Sequence, residues 1–236
     1  MSAEPAAISR HTPHLPAQPR GEDTRQRILR AALHVFATEG YDGASTRTLA
    51  QRAQVNLPAI QYYFGSKEGL YRAVIDDIAK TMEAHLAPVS ADIDAALTGR
   101  LPARPRLLDL LCAMLDAFAA LCTDQGAPDW ESRAMFFARA EIEPMAALET
   151  LHQRLSRKLI DPCAALIGHL TGEGPEAEVT RLRALSLLGQ VTIFCNRKSR
   201  PMLGWDRFDA DRVEAIRRVV REHTRAIFRA APRRRT

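Results

Sequence analysis

Apolar residues along the chain recur at intervals of three and four, the spacing that places side chains on one face of a helix. Ile28, Ala32, Val35 and Phe36 share such a face until Gly40 ends the run, and Asp23 with Gln26 has the spacing of a capping box at its start. Ser45 stands where it would cap a short second helix, along which Leu49, Ala50 and Ala53 point one way until Gln54 and Val55 break it. Asn56 is the cap expected for a third helix, with Pro58 in its first turn, where a missing N–H costs nothing. After Phe64, Gly65 and Ser66 close that helix and cap a fourth, whose buried stripe is Leu70, Val74 and Ile78 and which Pro88 is expected to end.

The same period continues through segments near 106–123, 130–142, 145–169, 176–197 and 209–229, with Pro, Gly or Asp in the gaps. Phe208, Asp209 and Val213 have the arrangement of a hydrophobic staple around an Asp cap for the last of these. Period-two alternation is not sustained anywhere, and no unit repeats at a fixed length. The fold class is all-α. An N-terminal three-helix unit over 23–71 precedes a larger helical body over 72–230, flanked by a Pro-rich polar tail (1–22) and a basic tail (231–236).

Composition narrows the picture by exclusion. The 236 residues carry 33 Lys and Arg against 28 Asp and Glu, a net charge of +5 that is small for the length, and 46% are hydrophobic, which is ordinary for a folded chain. Nothing reaches the roughly 18 apolar residues of a membrane span. No positively charged start leads into an apolar segment at the N-terminus, so a cytoplasmic protein is expected. Cys112, Cys122, Cys163 and Cys195 are far apart among apolar neighbours, the setting of reduced, buried thiols. His152, His169 and the other histidines form no metal-binding pair, and Gly-rich phosphate loops, nucleophile elbows and Cys-x-x-Cys pairs are missing. Neither a metal, a cofactor nor an enzymatic activity is expected.

Three short helices, the second and third joined by a tight turn, are what a helix-turn-helix requires. Between Thr24 and Tyr71 stand Arg25, Arg27, Arg30, Arg47, Arg52 and Lys67 against Glu39, Asp42 and Glu68, a modest basic excess. Phosphate contacts supply affinity, whereas base edges are read by the exposed face of the second helix of such a motif, a role that fits Asn56 to Tyr63. Ile60 and Phe64 are assigned to packing.

The run ILRAALHVFATEGYDGASTRTLAQRAQVNLPAIQYYFGSKEGLY, from Ile28 to Tyr71, resembles the N-terminal pattern of the TetR family of transcriptional regulators. It departs from that pattern at Gln54, where the family usually has Gly in the turn, and at Gln61, where many members place a phosphate-contacting Tyr. The resemblance implies that Arg47, Asn56, Leu57, Pro58, Ala59, Gln61, Tyr62 and Lys67 face DNA. Their chemistry assigns Arg47 to guanine and Gln61 to adenine, Tyr62 and Lys67 to phosphates, and Leu57, Pro58 and Ala59 to thymine methyls or DNA shape.

The family resemblance further implies a homodimer formed by the last two long helices, and a pocket whose small-molecule ligand releases the protein from a palindromic operator. The faces to bury are Leu182, Leu185, Leu188 and Val191, then Ile216, Val219, Val220 and Ile227, with core packing as the competing explanation for each. The stretches ARAEIEPM, LSLLGQVTIF and MLGW resemble the C-terminal domain of the YbiH or CecR-like branch, which implies a regulator linked to toxic small molecules. Candidate pocket residues are Phe136, Arg139, Glu143, Gln190 and Asn196, with Glu141 beside them. Gln190 on its apolar helix needs a partner, either a ligand or a neighbouring helix. Trp130 and Trp205 are expected to be packing plugs. The competing reading is a helical carrier or enzyme with the N-terminal helices as scaffold.

Overall fold

A computed structural model describes residues 20–123, 129–140, 149, 152–154, 156–195 and 199–229. The described elements are α1 (Arg20–Gly43), α2 (Thr46–Ala53), α3 (Leu57–Phe64), α4 (Lys67–Thr98), α5 (Arg104–Thr123) and α6 (Trp130–Ala140), followed by α7 (Asp161–Thr171), α8 (Glu178–Cys195), α9 (Ser199–Met202) and α10 (Ala210–Arg229). A π-helical turn, Ser156–Ile160, leads into α7. No strand occurs among the described residues, so the chain is all-α. None of these helices is long and apolar enough to cross a membrane.

Several helix ends form where local chemistry expects them. Gly40, at φ 76° and ψ 176°, takes the chain out of helical geometry near the end of α1. Asp209 caps α10 by accepting from the backbone N–H of Arg212 at 2.9 Å, with Phe208 buried beside it. Trp130 is buried and donates its indole N–H to the carbonyl of Cys122, as a plug that has found a polar partner. Trp205 packs against the body and edges onto Phe208.

Other expectations are corrected. The first helix begins at Arg20, so Asp23 lies within its first turn beside Glu22, and Gln26 donates to Glu22 at 3.1 Å instead of closing a capping box. Two carboxylates near the positive end of the helix stabilise it. The fourth helix does not end at Pro88. It continues to Thr98 because Leu86 and Ile93, on either side of the proline, are both fully buried in the body, and that burial outweighs one lost backbone hydrogen bond. Cys112 and Cys163 are free and buried, and burial pushes the Cys163 thiol up to about 12. Cys122, by contrast, is disulfide-bonded, because tertiary packing and not linear spacing decides which sulfurs meet.

Buried side chains gather in two clusters. One holds Ile28, Phe36, Leu49, Ile60, Leu70, Val74 and Ile78 from α1 to α4, and the other holds Leu107, Leu111, Leu115, Ile167, Leu188, Ile216 and Phe228 from α5, α7, α8 and α10. α4 belongs to both, since Leu70 to Met82 enter the first and Leu86 and Ile93 the second. At the far end of the body Arg104 ties three elements together, donating to the carbonyl of Leu170 at 2.6 Å and to that of Phe228. These are the last turns of α7 and α10, whose carbonyls lack helical donors.

The turn after α2 carries a measurable strain. Gln54 sits at φ 54°, ψ 46°, the left-handed region, and its N–H and that of Val55 satisfy the carbonyls of Gln51 and Ala50. A side chain in this conformation costs about 1–2 kcal/mol, and only part of that is returned by glycine's greater freedom when unfolded. Gln54→Gly is therefore expected to raise stability in urea by about 0.5–1 kcal/mol. A fall instead would mean that the Gln54 side chain contributes more than its backbone costs.

Candidate nucleic-acid interface

The surface around α2 and α3 is built by three successive side-chain caps. Ser45 Oγ accepts from the N–H of Thr48 at 3.0 Å, Asn56 Oδ1 from that of Ala59 at 3.2 Å, and Ser66 Oγ from that of Gly69 at 3.0 Å. Each bond satisfies one of the donors that a helix start leaves open. Leu49, Ala50 and Ala53 turn inward from α2, which leaves Arg47, Gln51 and Arg52 exposed. Arg47 makes no hydrogen bond or ion pair with any described residue, so its guanidinium fork is available.

α3 is the least buried helix of this unit. Of its eight mostly apolar residues only Ile60 is fully buried; Leu57 is 52% and Tyr62 82% exposed, and Pro58 and Gln61 face solvent with them. Tyr63 and Phe64 lean on the core as half-buried residues, and the Arg25 guanidinium lies 5.5 Å above the Phe64 ring. Ala59 is half-buried against the same core and offers less surface than its neighbours. Asn56 spends its side-chain oxygen on the cap, and the residue is otherwise exposed.

Lys67 is more constrained than its sequence role suggests. Its ammonium donates to the carbonyls of Tyr41 at 2.8 Å and Ala44 at 3.0 Å and sits 4.3 Å from the centre of the Tyr41 ring. It thereby fixes the segment between α1 and α2 to the start of α4. Two of its three donors are engaged by these carbonyls. Tyr62 packs edge-on against Tyr63, with ring centres 5.0 Å apart, and is otherwise exposed.

The three described pocket candidates, Phe136, Arg139 and Gln190, stand at separate places in the fold. Phe136 is buried in the α1–α4 cluster with its ring 5.3 Å from that of Tyr71, and Arg139 donates to the carbonyls of Ala37 and Thr38 on α1. Gln190 pairs with His223 of α10 at 2.9 Å, so a neighbouring helix gives it a partner. Glu143 and Asn196, like Glu141, lie outside the described residues. A cavity of about 230 Å³ does open between α1, α4 and the start of α6, lined by Leu29, Arg30, Val74, Asp77, Thr81 and Arg133. Of the candidates within the described residues, Phe136, Arg139 and Gln190 are not among its lining. Sequence reasoning missed it because its walls come from three elements more than 90 residues apart at their extremes, although the Phe136–Phe137 pair was a signal that α6 packs inward. No group of three potential metal ligands is assembled among the described residues.

Comparison with known proteins agrees with this architecture in both halves. Residues 28–74 match the tetR family of bacterial regulatory proteins, and residues 107–231 match the C-terminal domain of the HTH-type transcriptional dual regulator CecR. The HTH-type transcriptional dual regulator CecR of Shigella flexneri is 29% identical over 219 residues, spanning 91% of this chain and 96% of that protein. Among solved structures, a TetR-like transcriptional regulator from Rhodococcus sp. RHA1 superposes with a TM-score of 0.60 at 18% identity, covering 88% of this chain and 96% of that one. The transcriptional regulator FadR from Bacillus subtilis, solved in complex with stearoyl-CoA, superposes with a TM-score of 0.59 at 16% identity, covering 85% and 97%. At these identities the two structures share the fold.

The first turn of α4, where it meets the end of α3, tolerates no side chain at one position. A Cβ on Gly69 would stand 2.1 Å from the backbone carbonyl oxygen of Phe64, and that backbone cannot move without displacing α3. Gly69→Ala is expected to cost about 1–3 kcal/mol in chemical denaturation. Stability within experimental error of the parent would show that the turn relaxes freely and that α3 is not held by this contact.

Proposed function

The chain belongs to the TetR family of bacterial regulators, with a C-terminal domain of the CecR type, and on that footing we propose that it is a homodimeric repressor that a small-molecule effector releases from a near-palindromic operator. It is a DNA-binding transcriptional regulator. The observation that carries the finer reading is the surface row of Arg47, Leu57, Pro58, Gln61 and Tyr62. It combines unpaired polar groups with apolar side chains that the chain itself leaves uncovered. A major groove supplies partners of both kinds, base acceptors for the Arg47 fork and the Gln61 amide, and thymine methyls for Leu57 and Pro58. Tyr62, Lys67 and the Asn56 amide are assigned to the flanking backbone. In this reading the reader spans 23–71 and the body 72–230, with 1–22 and 231–236 outside both.

The body's last two long helices support a two-fold partner. Leu188 and Val191 of α8, with Ile216 and Val220 of α10, are buried in the core, whereas Leu182, Leu185, Val219 and Ile227 lie on the opposite side with Ile193 and are about half exposed. Apolar residues surround α8 on all sides, the pattern of a helix covered on both faces. A second copy laid on α8 and α10 makes a four-helix interface, and Gly189, with open space where a Cβ would be, permits close approach. Such a dimer holds two readers about 34–36 Å apart, one turn of DNA. An effector acts only to the extent that it binds the released form more tightly. The setting is the cytoplasm, where the operator is.

Two outcomes test this reading. Arg47→Ala is expected to lose discrimination at one base pair per half-site, at a cost of about 1–3 kcal/mol measured by competition among single-base operator variants. Equal losses at every variant would move Arg47 to the phosphates. The double substitution Leu185→Glu with Ile193→Glu is expected to give a helical monomer in sedimentation, with operator affinity reduced about a hundredfold or more through the loss of the second reader. A dimer that survives it would place the interface elsewhere.

A further inference from the structure

We infer that Arg139 is a positioning residue for the DNA reader, acting from α6 of the body through the C-terminal end of α1. Gly40 takes the chain out of helical geometry, so the carbonyls of the preceding turn lose the donors that a continuing helix would give them. Arg139 supplies replacements, with Nε donating to the Ala37 carbonyl at 2.9 Å and Nη2 to that of Thr38 at 2.6 Å. A cation at this end also opposes the partial negative charge of the helix. The two carbonyls are adjacent, and a planar fork meets both at once where an ammonium meets them one at a time.

The grip has a second point one turn earlier on α6. Phe136 is 2% exposed and sits in the reader's own cluster against Tyr71, whose ring is 4.9 Å from Phe36 and 5.1 Å from Tyr41. From there the contacts run without a gap to the recognition surface. Tyr41 underlies the Lys67 ammonium, Lys67 binds the carbonyls of Tyr41 and Ala44, Ala44 precedes the Ser45 cap, and Arg47 stands in the first turn of α2. A body helix more than 100 residues further along the chain thus sets the place where α1 stops and α2 starts. At its other end α6 borders the cavity lined by Arg30, Asp77 and Arg133, so whatever shifts that end pulls on α1 through Arg139. The inference rests on the chain being an operator-binding regulator.

The test compares full-length Arg139→Gln and Arg139→Lys with the parent. Amide hydrogen exchange is followed by mass spectrometry, and binding is measured to a DNA sequence selected by the parent protein from a random pool and to an unrelated duplex. Expected for Arg139→Gln is exchange about tenfold faster over residues 38–50 with α5 and α10 unchanged, since local opening reports local support. Affinity for the selected sequence falls about tenfold while binding to the unrelated duplex, which needs only phosphate contacts, stays within about twofold. Arg139→Lys lies between. Uniform acceleration across α5 and α10, or a selected sequence bound equally by all three proteins, would overturn the positioning role alone. A pool that yields no preferred sequence would sink the regulator reading and the positioning role with it.

Discussion

α4 has to bury two separate stripes at once, and the rest of the architecture depends on that demand. Tyr71, Val74, Ile75 and Ile78 close the core of the small N-terminal unit, and Leu86 and Ile93 enter the core of the body. Thirty-two residues of helix span about 48 Å, enough to lie along both. A proline in the middle of a helix removes a donor and crowds the preceding turn, a cost of about 3 kcal/mol. Two fully buried aliphatic side chains flanking Pro88, at about 1.5–3 kcal/mol each, exceed it. The reader and the body are therefore joined by a continuous packed rod, to which α6 adds a second connection through Phe136 and Arg139.

Against that connection, α3 itself is poorly anchored by burial. α3 contributes one fully buried residue, too little to hold eight residues in place by burial. Caps at Asn56 and Ser66, the close approach at Gly69 and the Lys67 bonds to Tyr41 and Ala44 hold it instead. Backbone and polar contacts do this without consuming the apolar side chains that face outward. What would be a defect in a structural helix, exposed Leu57 and Tyr62, is the surface available to a partner.

The body resolves the same tension in another way. α10 is sharply two-sided, with Ile216, Val220, Thr224 and Phe228 inward and arginines outward, two of them, Arg221 and Arg225, paired with Asp116 and Asp109 of α5. Burial raises the Asp116 carboxyl above its ordinary range even though Arg221 donates to it at 2.7 Å, so desolvation outweighs the pairing there. α8 has no polar side of comparable extent. Its exposed Leu182, Leu185 and Ile193 are apolar, and Gln190 among them pairs with His223 of α10.

The sequence by itself determined what short-range chemistry controls. The caps at Ser45, Asn56, Ser66 and Asp209 and the break at Gly40 involve groups within four residues of each other, and the packing roles of Ile60 and Phe64 follow from helical spacing. The family pattern from Ile28 to Tyr71 was readable for the same reason. Tertiary structure alone decided that α4 passes through Pro88, that Cys122 is disulfide-bonded, that Gln190 meets His223, and that Leu182 and Leu185 face out while Leu188 and Val191 face in. It also set Phe136 and Arg139 at the junction with α1. Each of those outcomes is set by a partner tens to more than a hundred residues away. A helical period states which residues share a face, and only the packing of the other elements states what that face meets.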